Sequence, residues 1–280
     1  MRKPVRLSTL FATVIILLVS SQLSAASDKY VRFEHKGEAH YGLLKGSTLT
    51  QVKGDLFSQH SIGTKTFELD KVTLLPATKP SKIIAVGLNY KSHNNSTKGA
   101  NPRLFSKLTS SLTGHNTPIW LFPDSTNLHY EGELVVVIGK TASNITPAEA
   151  SGVIFGVTAG NDVTDRSWQA SDLQWLRGKG ADSFSPIAPW LVTGLDYNNL
   201  LVETRLNGKV VQSERTTNLL FNVDEIVSYA SRYFTLSPGD LIFTGTPGRT
   251  SAMKAGDIVE VEIENVGKLT NIVTQRKSLP

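Results

Sequence analysis

His129-Tyr130-Glu131-Gly132-Glu133-Leu134, followed by Val135-Val136-Val137-Ile138, is the stretch that decides how the fold is interpreted. Its β-branched run predicts a strand, and the alternation of side chains along a strand places Glu131 and Glu133 on one face. Two carboxylates side by side repel each other unless something neutralises them. A bound hard cation is one explanation, and a solvated strand end is the other. A second Glu-x-Glu pattern, at Glu260 and Glu262, keeps both explanations open.

The first 26 residues have the pattern of a secretory signal peptide. Arg2, Lys3 and Arg6 precede an apolar segment over residues 10–19, and Ser24-Ala25-Ala26 supplies small residues for cleavage. The apolar segment is too short for a typical membrane span, although an uncleaved anchor is the alternative. We therefore expect an exported, periplasmic protein that has no membrane partner once residues 1–26 are removed.

Charge and composition exclude several classes of function. Removing residues 1–26 takes away three positive charges and no negative ones, so the formal net charge falls from +5 to +2. The remaining chain has no cluster of Lys and Arg interleaved with aromatic residues, so we expect no nucleic-acid partner. The chain also has no cysteine, which excludes disulfides, thiolate zinc sites and a cysteine nucleophile.

Turn and strand patterns predict an α+β, β-rich fold. Residues 27–78 form a predicted small N-terminal β subdomain, and a linker over residues 76–81 leads into a main domain over residues 79–280. Asn207-Gly208 predicts a tight hairpin, and the apolar spacing over residues 223–234 predicts a helix. Prolines and glycines over residues 102–128 predict a long irregular loop.

Three further polar residues follow predicted strands or lie between glycines. Asp162 and His93 each come after a predicted strand, and Lys179 is flanked by glycines. With Glu131 and Glu133, Asp162 would form an all-oxygen site suited to Mg²⁺, Mn²⁺ or Ca²⁺ rather than zinc. His93 is a suitable general base, and Lys179 could stabilise a developing oxyanion. Neither G-x-S-x-G nor G-x-G-x-x-G is present, which argues against a serine-nucleophile hydrolase and a dinucleotide fold.

Several short motifs occur in a fixed order over residues 82–267. They are Gly87-Leu88-Asn89-Tyr90-x-x-His93, Tyr130-Glu131-Gly132-Glu133-Leu134, Gly160-Asn161-Asp162-Val163-Thr164 with Gln169, Arg177-Gly178-Lys179, Phe184-x-Pro186-x-x-Pro189-Trp190 and Gly245-Thr246-Pro247. Together they resemble the fumarylacetoacetate hydrolase family, in its acylpyruvate hydrolase-like subgroup.

This resemblance implies a mixed β-roll catalytic domain over residues 79–280 and, as a partner, usually a second copy of the chain in a homodimer. It implies Mg²⁺ or Mn²⁺ bound by Glu131, Glu133 and Asp162. It also implies a hydrolase that cleaves a carbon–carbon bond in a small β-diketo acid such as an acylpyruvate. Related members decarboxylate or isomerise keto acids, and these reactions are alternatives here.

The resemblance assigns roles to the other site residues by position. His93 corresponds to the base that activates water, and Lys179 corresponds to a polar group of the catalytic site. Gln169 and Arg177 correspond to residues that line the substrate site, and Thr246 corresponds to a substrate contact.

One position departs from the pattern of the family. Many members of the subgroup have a glutamate three residues after the histidine, and here that position is Ser96. Without a carboxylate beside it, His93 is expected to be a weaker and less firmly oriented base. The alternatives are that another acid substitutes, that the chemistry needs no strongly activated water, or that the protein binds its ligand without catalysis.

Overall fold

The computed structural model describes residues 27–277. The predicted signal peptide lies outside these residues. Among the helices in the described part of the chain, none is long and apolar enough to cross a membrane.

Twenty strands and four α-helices make up the described part of the chain. The strands are β1 Lys29–His35, β2 Glu38–Lys45, β3 Thr48–Gly54, β4 His60–Glu68, β5 Thr73–Leu74, β6 Ile83–Gly87, β7 Arg103–Lys107, β8 Leu112–Thr113, β9 Ile119–Leu121, β10 Leu128–His129, β11 Gly132–Ile138, β12 Ile154–Asn161, β13 Thr164–Asp165, β14 Ser185–Pro186, β15 Trp190–Val192, β16 Leu201–Leu206, β17 Lys209–Arg215, β18 Leu241–Phe243, β19 Ile258–Ile263 and β20 Gly267–Gln275. The helices are α1 Pro147–Ala150, α2 Arg166–Ser171, α3 Leu176–Gly180 and α4 Val223–Ser231. This content confirms the β-rich prediction.

Two mixed sheets carry the fold. The larger has the order β4-β3-β2-β1-β15-β12-β11-β18-β6-β7, with β5 paired to β1, and the smaller has the order β17-β16-β19-β20-β9. Most neighbours are antiparallel, but β18 pairs with β6 and β20 pairs with β9 in parallel. The N-terminal strands continue the larger sheet, because β1 pairs with β15.

After Glu133, strand β11 is apolar because both of its faces are buried. Val135 and Val137 pack into one cluster with residues of β6 and β18. Leu134, Val136 and Ile138 point the other way, into a second cluster that includes apolar residues of α4. The central position of β11 explains why no polar residue interrupts the run, and it places the acidic start of the strand at one end of the core.

The structure confirms some local predictions and overturns one. Asn207 and Gly208 have φ values of 51° and 78°, as a two-residue hairpin between β16 and β17 requires. Helix α4 is present, and the Asn222 side chain caps it by accepting a hydrogen bond from the backbone N–H of Glu225. The irregular loop predicted over residues 102–128 is wrong, because β7, β8 and β9 lie within it and β10 begins at its last residue. Strand β7 pairs with the preceding strand β6. The other three are only two or three residues long and pair with strands far away in the sequence, as when β9 pairs with β20, so no local pattern marks them.

Candidate active site

The antiparallel pairing of β11 and β12 brings the three predicted carboxylates together. Glu133 lies opposite Gly160, and the backbone N–H of Asp162 donates to the Glu131 carbonyl at 2.8 Å. One ligand oxygen from each of Glu131, Glu133 and Asp162 can be chosen so that all three lie within 4.8 Å of one another. Each of these residues is buried, with at most 4% of its surface exposed. Glu133 and Asp162 therefore lie close together at one end of the sheet, although they are 29 positions apart in the sequence.

Three basic side chains contact the carboxylates of Glu131 and Asp162. Lys179 Nζ lies 2.6 Å from Glu131 Oε2 and 2.6 Å from Asp162 Oδ2. Lys107 Nζ lies 2.5 Å from Asp162 Oδ1 and also donates to the backbone carbonyl of Lys179. Arg166 Nη2 donates to Glu131 Oε1. Because Lys107 and Lys179 are themselves buried, these contacts compensate charges that water does not reach.

Glu133 is in a different electrostatic position from Glu131. Burial alone would raise the pKa of Glu131, but Lys179, Arg166 and His93 hold it well below its ordinary value. Within residues 27–277, no basic side chain forms an ion pair with Glu133, and its Oε2 accepts a hydrogen bond from the Gly245 backbone N–H at 2.7 Å. Burial and the neighbouring carboxylates of Asp162 and Glu131 raise the pKa of Glu133 well above its ordinary value. In the metal-free protein, Glu133 is therefore the carboxylate that holds a proton most tightly.

The chemistry of this donor set fits a divalent cation. The three carboxylates offer only oxygen atoms, which suits Mg²⁺, Mn²⁺ or Ca²⁺ rather than zinc. The unfavourable electrostatics at Glu133 are those that a bound cation relieves. Three protein ligands also leave coordination positions for water or for a bidentate substrate.

The His93 ring is held by a backbone carbonyl rather than by a carboxylate. His93 Nδ1 lies 2.7 Å from the Gly248 carbonyl oxygen. A carbonyl only accepts hydrogen bonds, so Nδ1 carries the proton and Nε2 carries the lone pair in the neutral ring. Nε2 lies 3.8 Å from Glu131 Oε1 and 3.4 Å from Asn94 Nδ2. The Ser96 hydroxyl donates to the His93 backbone carbonyl at 2.6 Å and does not contact the ring.

Seven of the eight predicted site residues line one cavity of about 210 Å³. Its lining consists of Val86, Gly87, Leu88, His93, Asn94, Phe105, Glu131, Glu133, Asp162, Arg166, Gln169, Trp175, Lys179 and Thr246. Gln169 Oε1 accepts from Arg166 Nη1 at 2.8 Å. The Thr246 hydroxyl donates to the Gly132 carbonyl at 3.0 Å.

The structure does not bring Arg177 to this cavity, which corrects its predicted place in the substrate site. The Arg177 side chain is half exposed and forms ion pairs with Asp172 at 2.7 Å and Asp124 at 3.4 Å. Its guanidinium carbon lies 4.8 Å from the centre of the Trp168 ring. The turn of α3 that points Lys179 inward directs Arg177, two residues earlier, to the surface.

A second, more open cavity of about 590 Å³ adjoins the first. Four residues line both cavities, and they are His93, Asn94, Arg166 and Gln169. The outer cavity is further lined by Ser92, Asn95, His129, Arg249 and Thr250. The two cavities are therefore neighbours that share part of their lining.

Sequence reasoning missed two basic residues of the site. Arg166 lies four residues after Asp162 and begins α2, a spacing that could have indicated it. Lys107 ends β7, and its only local signal is that it is an isolated lysine in a segment predicted to be irregular. Both are positioned by contacts between elements distant in the sequence, which local patterns do not encode.

Comparison with known proteins places this site in a family. Residues 82–274 match the family model described as fumarylacetoacetate hydrolase C-terminal, which is more than half of the chain. The chain belongs to the fumarylacetoacetate hydrolase family. Residues 29–76 match a second model, described as Rv2993c-like N-terminal, so the N-terminal strands are also those of known relatives.

Two relatives and one more distant protein of the same fold show what this chain is similar to. The mitochondrial oxaloacetate tautomerase Fahd2a of Rattus norvegicus is 39% identical over 214 residues, covering 71% of this chain and 68% of the relative. The crystal structure of 5-carboxymethyl-2-hydroxymuconate delta-isomerase from Mycobacterium smegmatis has a TM-score of 0.85 and 35% identity, covering 89% of this chain and 100% of that one. A maleylpyruvate hydrolase from Sphingobium, in complex with manganese(II) and pyruvate, has the same fold, with a TM-score of 0.74, 24% identity and the same coverage.

Proposed function

We propose that this protein is a divalent-metal-dependent tautomerase that interconverts the keto and enol forms of a small 2-oxo acid. The family includes hydrolases, isomerases and tautomerases. The observation that carries the choice among them is the hydrogen bond from His93 Nδ1 to the Gly248 carbonyl, which orients the ring through a neutral partner rather than through a carboxylate. A neutral partner orients the ring but stabilises the imidazolium less than a carboxylate does. Tautomerisation does not require His93 to activate water, so it is the reaction that depends least on a carboxylate partner for this ring.

Glu131, Glu133 and Asp162 are the residues proposed to hold the cation, with Mg²⁺ or Mn²⁺ as the expected ion and Ca²⁺ as the alternative. When bound, the cation supplies Lewis acidity that makes the carbon next to the keto group more acidic. The chain's own residues then bind, orient and move protons. Gln169 and Arg166 line the space where a carboxylate of the substrate would lie.

The proposed proton transfer runs through His93 Nε2. This nitrogen accepts a proton from the carbon beside the keto group, and the electrons of that C–H bond form the C=C bond of the enolate. The keto oxygen gains the negative charge, and the Lys179 ammonium, held at the site by Glu131 and Asp162, stabilises that charge. Return of the proton from His93 to this oxygen gives the enol, so the isomerisation needs no other reactant.

The second candidate is hydrolysis of a β-diketo acid such as an acylpyruvate, with His93 activating water. The outer cavity of about 590 Å³ favours it, because an acyl group could extend into that space. Both candidates use the same carboxylates and the same lysine, but they differ in what gives its proton to His93.

The test compares wild type with His93→Gln, loaded with Mg²⁺ or Mn²⁺. Enol-to-keto conversion of oxaloacetate and hydrolysis of acetylpyruvate are followed in parallel. We expect tautomerisation to be the faster reaction, and the variant to lose about 100-fold or more in kcat with its Mn²⁺ affinity unchanged, because general base catalysis is worth that much. His35→Gln, the same exchange on β1, is the matched control.

Each of the other outcomes selects a different function. Faster hydrolysis than tautomerisation would establish the second candidate instead. Binding of Mn²⁺ and pyruvate without turnover of any keto acid would identify a ligand-binding protein that has lost catalysis.

We also propose that the protein is exported and acts as a homodimer. The basic, apolar and small-residue pattern of residues 1–26 supports export, and family membership supports the dimer. The mass of the mature protein from periplasmic extract tests the first proposal, and light scattering of the purified protein tests the second.

A further inference from the structure

We propose that Trp175 is a specificity-determining residue, whose indole excludes long apolar chains by closing the site towards a neighbouring apolar cavity. This inference rests on the proposed function, since it takes a 2-oxo acid to be bound at the carboxylate cluster. Trp175 lies between α2, which carries Arg166 and Gln169, and α3, which carries Lys179. Its segment therefore connects the two helices that supply basic and polar side chains to the site.

An apolar cavity of about 810 Å³ lies beside the inner cavity that contains the carboxylates. Its lining is mostly apolar and includes Ile84, Leu104, Leu176 and Phe234. Lys82, the charged residue of this lining, is paired with Asp240 at 2.5 Å. Among the residues that the structure describes, Phe105 and Trp175 are the two that line both this cavity and the inner one. The two cavities therefore differ in chemistry and meet at two aromatic side chains.

The rings of Phe105 and Trp175 pack against each other at the end of β6. Their centroids are 5.4 Å apart with an interplanar angle of 73°, an edge-to-face arrangement. A Cβ atom placed on Gly87, the last residue of β6, would lie 3.7 Å from Trp175 Cζ3 and 3.8 Å from Phe105 Cε1. Lys179 Nζ lies 5.0 Å from the centre of the Phe105 ring. The two rings therefore form an aromatic wall between the carboxylate cluster and the apolar cavity.

The backbone at Trp175 has a conformation that turns the indole towards this wall. Gln174 and Trp175 have φ values of 57° and 60°, in the left-handed region that residues other than glycine rarely adopt. Leu173 and Leu176 are 87% and 55% exposed, whereas Trp175 is partly buried. Strained residues persist only where the surrounding structure holds them, and they are concentrated at functional sites. The segment exposes two leucines and turns the tryptophan inward, which a role in core packing alone does not require.

A wall at this position determines how the site discriminates between 2-oxo acids. The inner cavity, of about 210 Å³, contains the charged groups of the site and takes the 2-oxo acid group itself. A hydrocarbon chain attached to that group would gain free energy by burial in the apolar cavity, but the aromatic wall separates it from that cavity. Removing the indole would join the two volumes. The wild type therefore discriminates against 2-oxo acids with long apolar chains, and Trp175 is the residue responsible.

The test uses pyruvate and 2-oxooctanoate, which carry the same charge and differ in an apolar chain. Their affinities for the Mn²⁺-loaded protein are measured by titration calorimetry, and the ratio of the two affinities is compared, so that a general loss of binding cancels. We expect the wild type to bind 2-oxooctanoate no more tightly than pyruvate. Trp175→Ala should shift the ratio towards 2-oxooctanoate by about tenfold, the gain from burying about two methylene groups.

Two further variants accompany this measurement. Trp175→Phe keeps a smaller ring in the aromatic wall, so we expect a shift in the same direction that is smaller than that of Trp175→Ala. Trp120→Ala removes a partly buried tryptophan on β9, outside both linings, and is the matched control. The Mn²⁺ affinity and melting temperature of each variant report whether it is folded.

The outcomes separate the two proposals. If neither ligand binds the wild type or any variant, the proposed function fails and this inference fails with it. If pyruvate binds and Trp175→Ala leaves the ratio unchanged, the inference is overturned while the proposed function stands. An equal shift in Trp120→Ala would also overturn it. If Trp175→Ala does not fold, Trp175→Phe decides, because a shift towards 2-oxooctanoate supports the inference and an unchanged ratio overturns it.

Discussion

Replacing Glu133 with glutamine tests the electrostatics of the carboxylate cluster in the metal-free protein. Glu133 is buried next to Glu131 and Asp162, and the three basic side chains of the site contact those two carboxylates but not Glu133. Burial and the two neighbouring carboxylates therefore raise the pKa of Glu133 above the value it has in the unfolded chain. A raised carboxyl pKa means that the folded protein binds this proton more tightly than the unfolded chain does.

The sign of the pH dependence follows from this shift. Stability from Glu133 is fully present below the unfolded carboxyl pKa of about 4.3 and is lost as the pH rises through the higher folded pKa. Within that window the free energy of unfolding should fall by up to about 1.4 kcal/mol per pH unit, the value for one proton. Glu131 has the opposite shift, so its contribution is already complete above about pH 5 and adds no slope.

Urea denaturation of the metal-free protein from about pH 5 to about pH 8 measures this slope. We expect Glu133→Gln to flatten it and to be more stable than the wild type at the upper end, because the amide carries no charge. Saturating Mg²⁺ or Mn²⁺ should abolish the decline in the wild type, since the cation binds the ionised carboxylate. Glu260→Gln, which removes a partly buried glutamate paired with Lys268 outside the site, is the control. Equal slopes in the wild type and Glu133→Gln would refute the reasoning.

Two further substitutions test how the site is held. Lys107→Met removes a buried partner of Asp162, so we expect the free energy of unfolding of the metal-free protein to fall by about 3 kcal/mol. The control Lys268→Met removes the more exposed ion pair with Glu260 and should lower the free energy of unfolding by less than about 1 kcal/mol. Gly178→Ala would place a Cβ atom 2.7 Å from the Gln169 backbone nitrogen and so push α3 away from α2. We expect a loss of about 1–3 kcal/mol together with a lower kcat, measured against Gly99→Ala, where the nearest atom is 3.8 Å away; equal melting of the two variants would contradict this.

The grouping of the three carboxylates could be predicted because its geometry follows from strand periodicity. Glu131 and Glu133 share a face whatever the partner strand is, and Asp162 lies directly after Asn161, the last residue of β12. Since β11 and β12 are antiparallel neighbours, the start of one lies beside the end of the other. The alternation of side chains along β11, the strand end before Asp162 and the pairing of β11 with β12 are sufficient to bring the three carboxylates together.

The remaining features depend on contacts that no local pattern encodes. Lys107 reaches Asp162 because β7 pairs with β6 at the edge of the larger sheet, and sequence reasoning predicted only a loop there. The partner of His93 is a backbone carbonyl at Gly248, and every residue has a carbonyl. The sequence alone shows that Ser96 replaces the glutamate of many family members. It does not show which group orients the His93 ring instead, because that depends on where the 245–251 loop lies.

The acidic strands β11 and β19 share the Glu-x-Glu pattern but differ in burial. Glu260 and Glu262 are on β19 and face solvent, where they form ion pairs with Lys268 and Arg205. Their strand alternates apolar and acidic residues, as a half-buried strand does. After Glu133, β11 continues as an uninterrupted apolar run and is buried throughout. A carboxylate pair that begins a fully buried strand is therefore the more informative pattern, because solvent cannot neutralise it.

The balance of charge in the site explains why an enolate is a suitable occupant. Three carboxylates, Glu131, Glu133 and Asp162, face three basic side chains, Lys107, Lys179 and Arg166, so the ionised cluster is neutral as a whole. A divalent cation bound there leaves two positive charges. A 2-oxo monoacid carries one negative charge and its enolate carries two, so the site complements the enolate better than the keto acid. Interactions that strengthen towards the enolate accelerate its formation. Tautomerisation and carbon–carbon hydrolysis both pass through such an enolate, so the cluster serves either reaction, and the partner of His93 is what decides between them.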